Sequence, residues 1–465
     1  MGVPDMLDEA SDSMPPIIRD RIAILSHAHP SVSKGGAEIA AYTLYSGLRE
    51  LGIDALFIAA CQEADRPRLH LGSEREHAVF YDPRAYDHFY HLSAPEVARQ
   101  VARILAEERV SVANFHHFLF FGVNSLREVA RGGSVRTILT LHEFLAICHH
   151  HGQMVTNPAR LLCERSSPRA CANCFTAKTW RQFDMRRILL QQVFAAVHGF
   201  ISPSRFLVER FSDWGLSEDR MEVIENGLRH TPADPRRQAA RQAGAPWVFG
   251  FFGQINPFKG VDTLLRAAEE LARLQRAGPP LQIRIHGNVI GVNPEFAERF
   301  RTLAETLPGL SYAGPYDNNS VSRLMAACDY VLVPSTWWEN SPLVIQEAYA
   351  ARRPVICSNI GGMAEKVKPG ISGLHFRVGD PLDLARTLGL AADEALYAKL
   401  TSGLPRVSNA RRMARQYLAA FRRFATSLPD PASLASSGRT AAVSRRKRDD
   451  GAESPASVTV DYEDQ

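Results

Sequence analysis

A pair of carboxylates stands where the phosphate and hydroxyl groups of one ligand could be gripped together. Glu339 and Glu347 are separated by seven residues, and Asn340-Ser341-Pro342-Leu343-Val344 runs between them. Ahead of them, Tyr330 to Val333 is a short apolar run of the kind a buried strand needs. Pro342 suits the first position of a helix, with Asn340 or Ser341 as its cap. That helix is expected to end near Ala351, before Pro354. Glu339 then falls in the loop, and Glu347 lies a turn and a half inside the helix, on a face shared with Leu343 and Ala350. An ionised carboxylate on so apolar a helix is costly unless something polar meets it. The open amides of Ser341, Leu343 and Val344 attract an anion to the helix start, and Pro342 has no N–H to add. A phosphate there, with a carboxylate on either side for hydroxyl groups, suits a sugar nucleotide. The same pattern also serves a capped core helix with Glu339 in solvent and Glu347 paired or reaching the surface.

The elements that must position these residues alternate strand and helix. Arg21 to Ser26 reads as a buried strand, followed by Lys34-Gly35-Gly36-Ala37-Glu38 and a helix from Ile39 to Leu51. A Gly-Gly turn at that junction lets backbone approach a ligand closely, or is simply a tight turn. Further strands are expected at Ala55–Ala60, Val110–Phe115, Thr137–Leu141, Phe200–Ser202 and Met221–Ile224, with helices at Ala94–Glu108, Trp180–Val197 and Ser204–Trp214. Residues 62–95 read as irregular. The strands ending at Phe115 and Leu141 run into His116-His117 and His142-Glu143. Open α/β sheets bind ligands at that edge.

The second half repeats the rhythm. Val248–Phe252 leads to Gly253-Gln254-Ile255-Asn256-Pro257-Phe258-Lys259-Gly260 and a helix from Val261 to about Leu274; Gln282–Ile285 ends at His286-Gly287. Leu310–Ala313 and Pro354–Cys357 read as strands, and Asn318–Ala327, Leu382–Leu404 and Arg411–Phe424 as helices. The alternation predicts an α/β protein of two doubly wound Rossmann-like domains facing each other across a cleft. The expected division is a disordered N-terminus 1–19, an N-terminal acceptor-side domain 20–235, a C-terminal donor domain 246–404, a helix 405–428 packing back on the N-terminal domain, and a disordered tail 429–465. The tail's Ser/Ala/Pro-rich composition buries too little apolar surface to order itself.

The 465 residues allow such a size, and 45% hydrophobic with 22% charged residues is ordinary globular composition. A net charge of +4 is too small to argue for nucleic acid. No apolar run approaches a membrane span, and the acidic first residues lack a signal peptide's pattern. A cytoplasmic protein is expected, and therefore reduced cysteines. Cys148, Cys163, Cys171 and Cys174 form C-x14-C-x7-C-x2-C beside His149, His150 and His151. That spacing within an insertion at 148–175 is suited to a structural zinc site, or to a loop that is merely cysteine-rich. The helix from Trp180, with Arg181, Arg186 and Arg187, offers a basic face either to solvent or to an anionic membrane surface at the inner face of the membrane.

Neither G-x-G-x-x-G nor G-x4-G-K-[ST] occurs, and there is no Asp-x-Asp. Any phosphate must be held by amides and by Lys or Arg. With that elimination, the set Gly35-Gly36-Ala37-Glu38, His142, Asn226-Gly227, Lys259-Gly260 and Glu339-x7-Glu347 resembles the family 4 glycosyltransferases of GT-B fold, over about residues 20 to 425. The resemblance implies a retaining transferase of polysaccharide or glycoconjugate assembly, with no catalytic cofactor. Its donor is a nucleoside-diphosphate sugar, GDP- or UDP-linked, and its acceptor a glycan or lipid-linked molecule. It implies catalytic roles for His142, Lys259 and Glu339: His142 positions the donor sugar, Lys259 neutralises the leaving diphosphate, and Glu339 accepts from sugar hydroxyls. Glu347 accepts from the ribose. The implied donor set is completed by Gly35, Gly36, Asn226, Gln254, Gly287, Asn340, Ser341, Leu343 and Val344. Relatives usually place Arg where Gln254 stands, and a Gly near Pro342 is also replaced; some share a cysteine cluster. A hydrolase or epimerase on the same frame, with His116 as its acid or base, and a non-catalytic sugar-nucleotide sensor are the rival readings.

Overall fold

The computed structural model describes residues 21–229, 244–274 and 278–426. The expected disordered terminus 1–19, the tail 429–465 and most of the expected interdomain boundary lie outside these residues.

In the N-terminal sheet the strands are β1 (Arg21–Ser26), β2 (Ala55–Cys61), β3 (Glu76–Phe80), β4 (Val110–Phe115), β5 (Arg136–Thr140), β6 (Gly199–Ser202) and β7 (Met221–Val223). Their order is β3-β2-β1-β4-β5-β6-β7, and every neighbour pair is parallel. The second sheet contains β8 (Trp247–Phe252), β9 (Leu281–His286), β10 (Leu310–Gly314), β11 (Tyr330–Val333), β12 (Val355–Ser358) and β13 (Gly373–Phe376), in the parallel order β10-β9-β8-β11-β12-β13. Parallel strands covered on both faces need continuous apolar runs, and β2, β6, β11 and β12 are buried at every position.

This order creates two switch points, β1 beside β4 and β8 beside β11. There the connections leave in opposite directions and open a crevice at the carboxyl ends. The loops after β1, β4, β8 and β11 carry His27, His116, Lys259 and Glu339 respectively. Topology alone therefore places the chemistry-bearing residues in the crevices.

The chain returns to the first domain at its end. Helix Ala410–Thr426 lays Met413, Tyr417, Phe421 and Phe424 into the core formed by Ile22, Ile24, Phe57 and Ile138. Each such side chain contributes about 1.5–3 kcal/mol when fully buried, enough to hold a helix that would be marginal alone. Near the cleft the domains also touch through polar groups. The amides of Arg205 and Phe206 donate to the Glu365 carboxylate at 2.9 and 2.7 Å, and Lys366 pairs with Glu225.

Four readings of the sequence need correction. The stretch 62–95 holds an edge strand, β3, whose Glu76 and His77 disguise its pattern; Glu76 is buried because His29 and Tyr42 hydrogen-bond to it. The pattern 382–404 is two helices, Pro381–Ala391 and Glu394–Ser402, and Asp393 caps the second. Pro342 is extended and precedes helix Leu343–Ala350 as its N-cap, so Asn340 and Ser341 do not cap it. Arg186 is not on a basic surface: it is buried and donates to the carbonyls of Phe89, Leu145 and Ala146. Helices Gly122–Arg131 and Pro294–Thr306 and strand β13 carry no reading from the sequence. Among the described residues no helix is long and apolar enough to cross a membrane.

Candidate active site

Lys259 and Glu339 meet. Lys259 Nζ lies 2.5 Å from Glu339 Oε1. The same oxygen accepts from Ser335 Oγ and from Trp337 Nε1, each at 2.9 Å. Burial alone would raise this carboxyl, but the Lys259 charge and the three hydrogen bonds outweigh it and hold it below the usual carboxylate range. All three donors load Oε1, and among the described residues Oε2 accepts from none. Glu339 thus arrives ionised, oriented and with one oxygen still to give.

Glycine brings the two loops this close. Gly260 has φ +70°, and a Cβ there would stand 1.8 Å from the Pro334 carbonyl oxygen; Thr336 N donates to Phe258 O at 2.9 Å across the same contact. We expect Gly260→Ala to lower stability by about 2 kcal/mol or more, from the left-handed backbone and the clash together. A chemical melt shows it, and an unchanged midpoint would mean the loops do not need this approach. Trp337 stacks on Phe258 with ring centres 5.5 Å apart, and Lys259 Nζ is 5.5 Å from the Trp337 ring.

Glu347 behaves differently. Half-buried, it has no hydrogen-bond or ion-pair partner among the described residues, and burial pushes its carboxyl up to about 7. It lies in the helix whose first-turn amides, Leu343 and Val344, are left open by the extended Pro342. Ser341 Oγ is likewise buried without a partner among the described residues. Asn340 faces the other domain: its Nδ2 donates to the His142 carbonyl at 3.1 Å and its Oδ1 accepts from Ser204 Oγ. Gly362 lets the Asn340 backbone pass, since a Cβ on it would be 1.6 Å from Asn340 O. Gly287 serves the β9 end in the same way, crossing the Gly253 carbonyl.

His142 is therefore set directly across from the Glu339 loop. Its Nε2 is 2.9 Å from His116 Nδ1. Burial, then the neighbouring histidines, push His142 well below its ordinary value, and burial followed by His27 takes His116 down to about 3. Both are neutral, so one donates to the other, and neither is a ready proton donor at neutral pH.

Among the described residues no hydrogen bond or ion pair joins Gln254, Asn226, Gly35 or Gly36 to this pair, although Gln254 shares the turn of Lys259 through Asn256, whose Oδ1 accepts from Lys259 N at 3.1 Å. Gln254 is exposed and accepts from Asn256 Nδ2 at 3.3 Å. No contact among the described residues joins Asn226 to Lys259, Glu339 or Glu347; it is buried past the edge strand β7, and its Oδ1 is unpartnered. Gly35 and Gly36 begin helix Gly36–Glu50, where a Cβ on Gly35 would meet Glu38 Oε2 at 2.5 Å. That glycine makes room for a buried carboxylate.

The four cysteines of the expected zinc site lie near one another: Cys163 and Cys171 help raise the Cys148 thiol after burial, and Cys174 that of Cys163. All four cysteines of the insertion are free thiols, and among the described residues no three His, Cys, Asp or Glu side chains are arranged to hold a metal ion. Cys171 and Cys174 belong to a helix, Pro168–Cys174, rather than to a knuckle turn, and the Cys163 thiol donates to Arg165 O at 3.5 Å. The insertion instead touches the site through backbone: Trp338 Nε1 donates to Cys163 O at 3.2 Å.

The sequence reading passed over Ser335 and Trp337, which orient Glu339, and His27, which follows β1 as His116 follows β4. The rule that singled out His116 and His142 would have found His27.

Residues 246–393 match the family described as Glycosyl transferases group 1, and residues 34–231 match Glycosyltransferase Family 4. The D-inositol 3-phosphate glycosyltransferase of Nocardia farcinica is 33% identical over 196 residues, 40% of this chain and 42% of that protein. The Corynebacterium jeikeium protein of the same name is 35% identical over 178 residues, 36% and 42%. The chain thus matches about two-fifths of the length of these relatives. Among solved structures, sucrose-phosphate synthase from Thermosynechococcus elongatus has a TM-score of 0.65 at 20% identity, covering 88% of this chain and 100% of that one. Anabaena HepE in complex with UDP has a TM-score of 0.62 at 18% identity, covering 87% and 100%; these two likenesses establish the shared fold. With one family match over each sheet and the two-sheet frame of these structures around a Lys259–Glu339 pair, the chain belongs to the family 4 glycosyltransferases and has the GT-B fold.

Proposed function

We propose that the chain moves a sugar from a nucleoside-diphosphate sugar onto a hydroxyl of a glycan or lipid-linked acceptor, with retained anomeric configuration and without a catalytic metal. The observation that carries this reading is the Lys259–Glu339 contact of 2.5 Å beside an open helix start. Lys259 has three N–H donors and spends one on Glu339, leaving two for a diphosphate oxygen. The amides of Leu343 and Val344 add fixed positive ends for the same anion. Glu339 Oε2 takes a hydroxyl of the donor sugar, and Glu347 takes the ribose hydroxyls, ionising as it does so. Transfer then needs little covalent help: positive charge aimed at the departing diphosphate stabilises it as charge develops. His142, neutral and set across the cleft, accepts from or donates to a sugar hydroxyl and positions the ring.

The relatives' name, a D-inositol 3-phosphate glycosyltransferase, and the UDP and UDP-glucose complexes of HepE support a sugar-nucleotide donor. Titration of the full chain with UDP and GDP in the presence of EDTA tests the donor reading. One of the two is expected to bind, and the corresponding sugar nucleotide to yield a product of unchanged anomeric configuration by NMR. Binding that needs a divalent ion, or an inverted product, would overturn it.

A further inference from the structure

The insertion after β5 folds back on itself so that Cys148, Cys163, Cys171 and Cys174 become neighbours. Val155 and Leu162 form an antiparallel bridge, and Cys163 N donates to Met154 O at 2.8 Å, which sets Cys163 beside the turn that follows Cys148. Gly152 N closes that turn on the Cys148 carbonyl at 3.2 Å. Cys171 and Cys174, three apart on helix Pro168–Cys174, share a face. Asn157 Nδ2 ties the end of that helix back through Cys174 O at 3.0 Å. The thiols feel one another in consequence: after burial, Cys163 and Cys174 raise Cys171, as Cys171 and Cys163 raise Cys148.

Two features of the surroundings nevertheless favour thiolate. Against burial, backbone groups of His150 and Met154 hydrogen-bond to the Cys148 sulfur, and one of Ser167 to that of Cys171. Metal-bound ligands are supported by their surroundings in this way. Behind them, Arg186 is 3% exposed, and its donors meet only uncharged groups: the carbonyls of Phe89, Leu145 and Ala146, and His91 Nε2 at 3.1 Å. No carboxylate among the described residues forms an ion pair with it, and a buried cation needs a counter-charge. The Cys148 and Cys171 sulfurs act on it more strongly than Glu143 does. Protonated, they offer it no charge; as thiolates they do. The adjoining histidines are engaged elsewhere. His149 packs edge-on against Phe89 and Phe175, with ring centres 4.9 and 4.8 Å away, His150 Nδ1 is 3.1 Å from Val155 O, and His151 is exposed.

We propose that Cys148, Cys163, Cys171 and Cys174 together bind one zinc ion through four sulfurs, as a structural centre that pins the insertion. Four thiolates suit zinc and not the oxygen-seeking magnesium, calcium or manganese. Binding sends the four thiol protons to water, among them the one that Cys163 now directs at Arg165 O, and turns the sulfurs onto one point. The centre then carries two negative charges, and Arg186 is their neighbour. Its reach to the cleft is one carbonyl: Cys163 O accepts from Trp338 Nε1 at 3.2 Å, beside Glu339 in the other domain. The inference stands independently of the donor reading above.

The full chain, purified through a chelating resin, is analysed for metals by plasma mass spectrometry. About one zinc ion per chain is expected, falling to about a tenth or less in Cys163→Ser and in Cys174→Ser. Cys328→Ser, outside the insertion, is expected to keep it. Should the two insertion variants fail to fold, the wild-type chain still decides. Titration with a mercurial thiol reagent is expected to release its zinc in step with the reaction of four thiols, and cobalt put in its place to show the visible bands of a tetrahedral all-sulfur site. Purified chain without zinc, iron in place of zinc, zinc retained by both insertion variants, or the spectrum of an octahedral oxygen site for cobalt overturns the proposal.

Discussion

Lys259→Ala is expected to lower turnover at saturating donor about 100- to 1,000-fold, the range seen when one preorganised donor to a developing negative charge is removed. The loss falls on kcat because the lysine's charge matters most once the diphosphate is leaving. The substitution also strands a carboxylate. Glu339 is 11% exposed at its side chain, against 29% for Lys259, and without the ammonium only Ser335 and Trp337 still donate to it. Breaking a fully buried pair this way costs about 3–5 kcal/mol; the half-open lysine side reduces that to about 1–3 kcal/mol. The two effects separate in the double variant Lys259→Ala, Glu339→Gln. It is expected to recover the melting temperature, since no buried charge is left unpaired, and to remain as slow as the single variant or slower. Wild-type kcat in Lys259→Ala would remove the lysine from the mechanism.

Glu347→Gln is expected to weaken sugar-nucleotide binding about 10- to 100-fold at pH 8, because hydrogen bonds to a charged acceptor contribute about 1.5–3 kcal/mol. The wild-type chain should bind more tightly as pH rises from 6 to 8, as the carboxyl held near 7 ionises. The variant should show no such trend. A sugar nucleotide is the right probe, since its diphosphate does not titrate in that range. Stability of the free chain runs the other way. With a folded value above the unfolded one, the folded chain keeps a proton through pH 4.5 to 7 that the unfolded chain has released. This group's contribution is therefore fully present below pH 4.5 and lost as pH rises through 7. Glu347→Gln escapes that loss, and at pH 8 is expected to be more stable than wild type by about 1–3 kcal/mol, with no advantage at pH 4. Unchanged nucleotide affinity together with an unchanged pH profile would remove Glu347 from the donor site.

Both predictions concern residues legible before any coordinates. Lys259 and Glu339 stand in loops that follow strongly apolar strands, and Glu347 in the helix that the second loop opens into; such apolar runs are the most readable feature of a parallel sheet. His142 was legible for the same reason. The edge strand β3 was not: its Glu76 and His77 break the apolar pattern, and only the packing of His29 and Tyr42 around Glu76 makes a buried carboxylate tolerable there. The cysteine spacing left the local structure open, since C-x2-C fits a helical turn such as Pro168–Cys174 as well as a metal knuckle and spacing alone does not choose.

By itself the sequence determined the α/β class, the strand ends that bear chemistry and the family to which those residues point, because each depends on local pattern or residue identity. Only the tertiary structure decided that Lys259 donates to one oxygen of Glu339, that Glu347 is left without a partner among the described residues, and that His27 and His117 join His116 and His142 opposite them. Those are contacts between residues far apart in the chain, 80 positions at the Lys259–Glu339 pair, set by the switch points of two sheets and by close backbone crossings at Gly260 and Gly362. Hydrogen bonding and burial there depend on which atoms are neighbours in space, a quantity no local pattern contains.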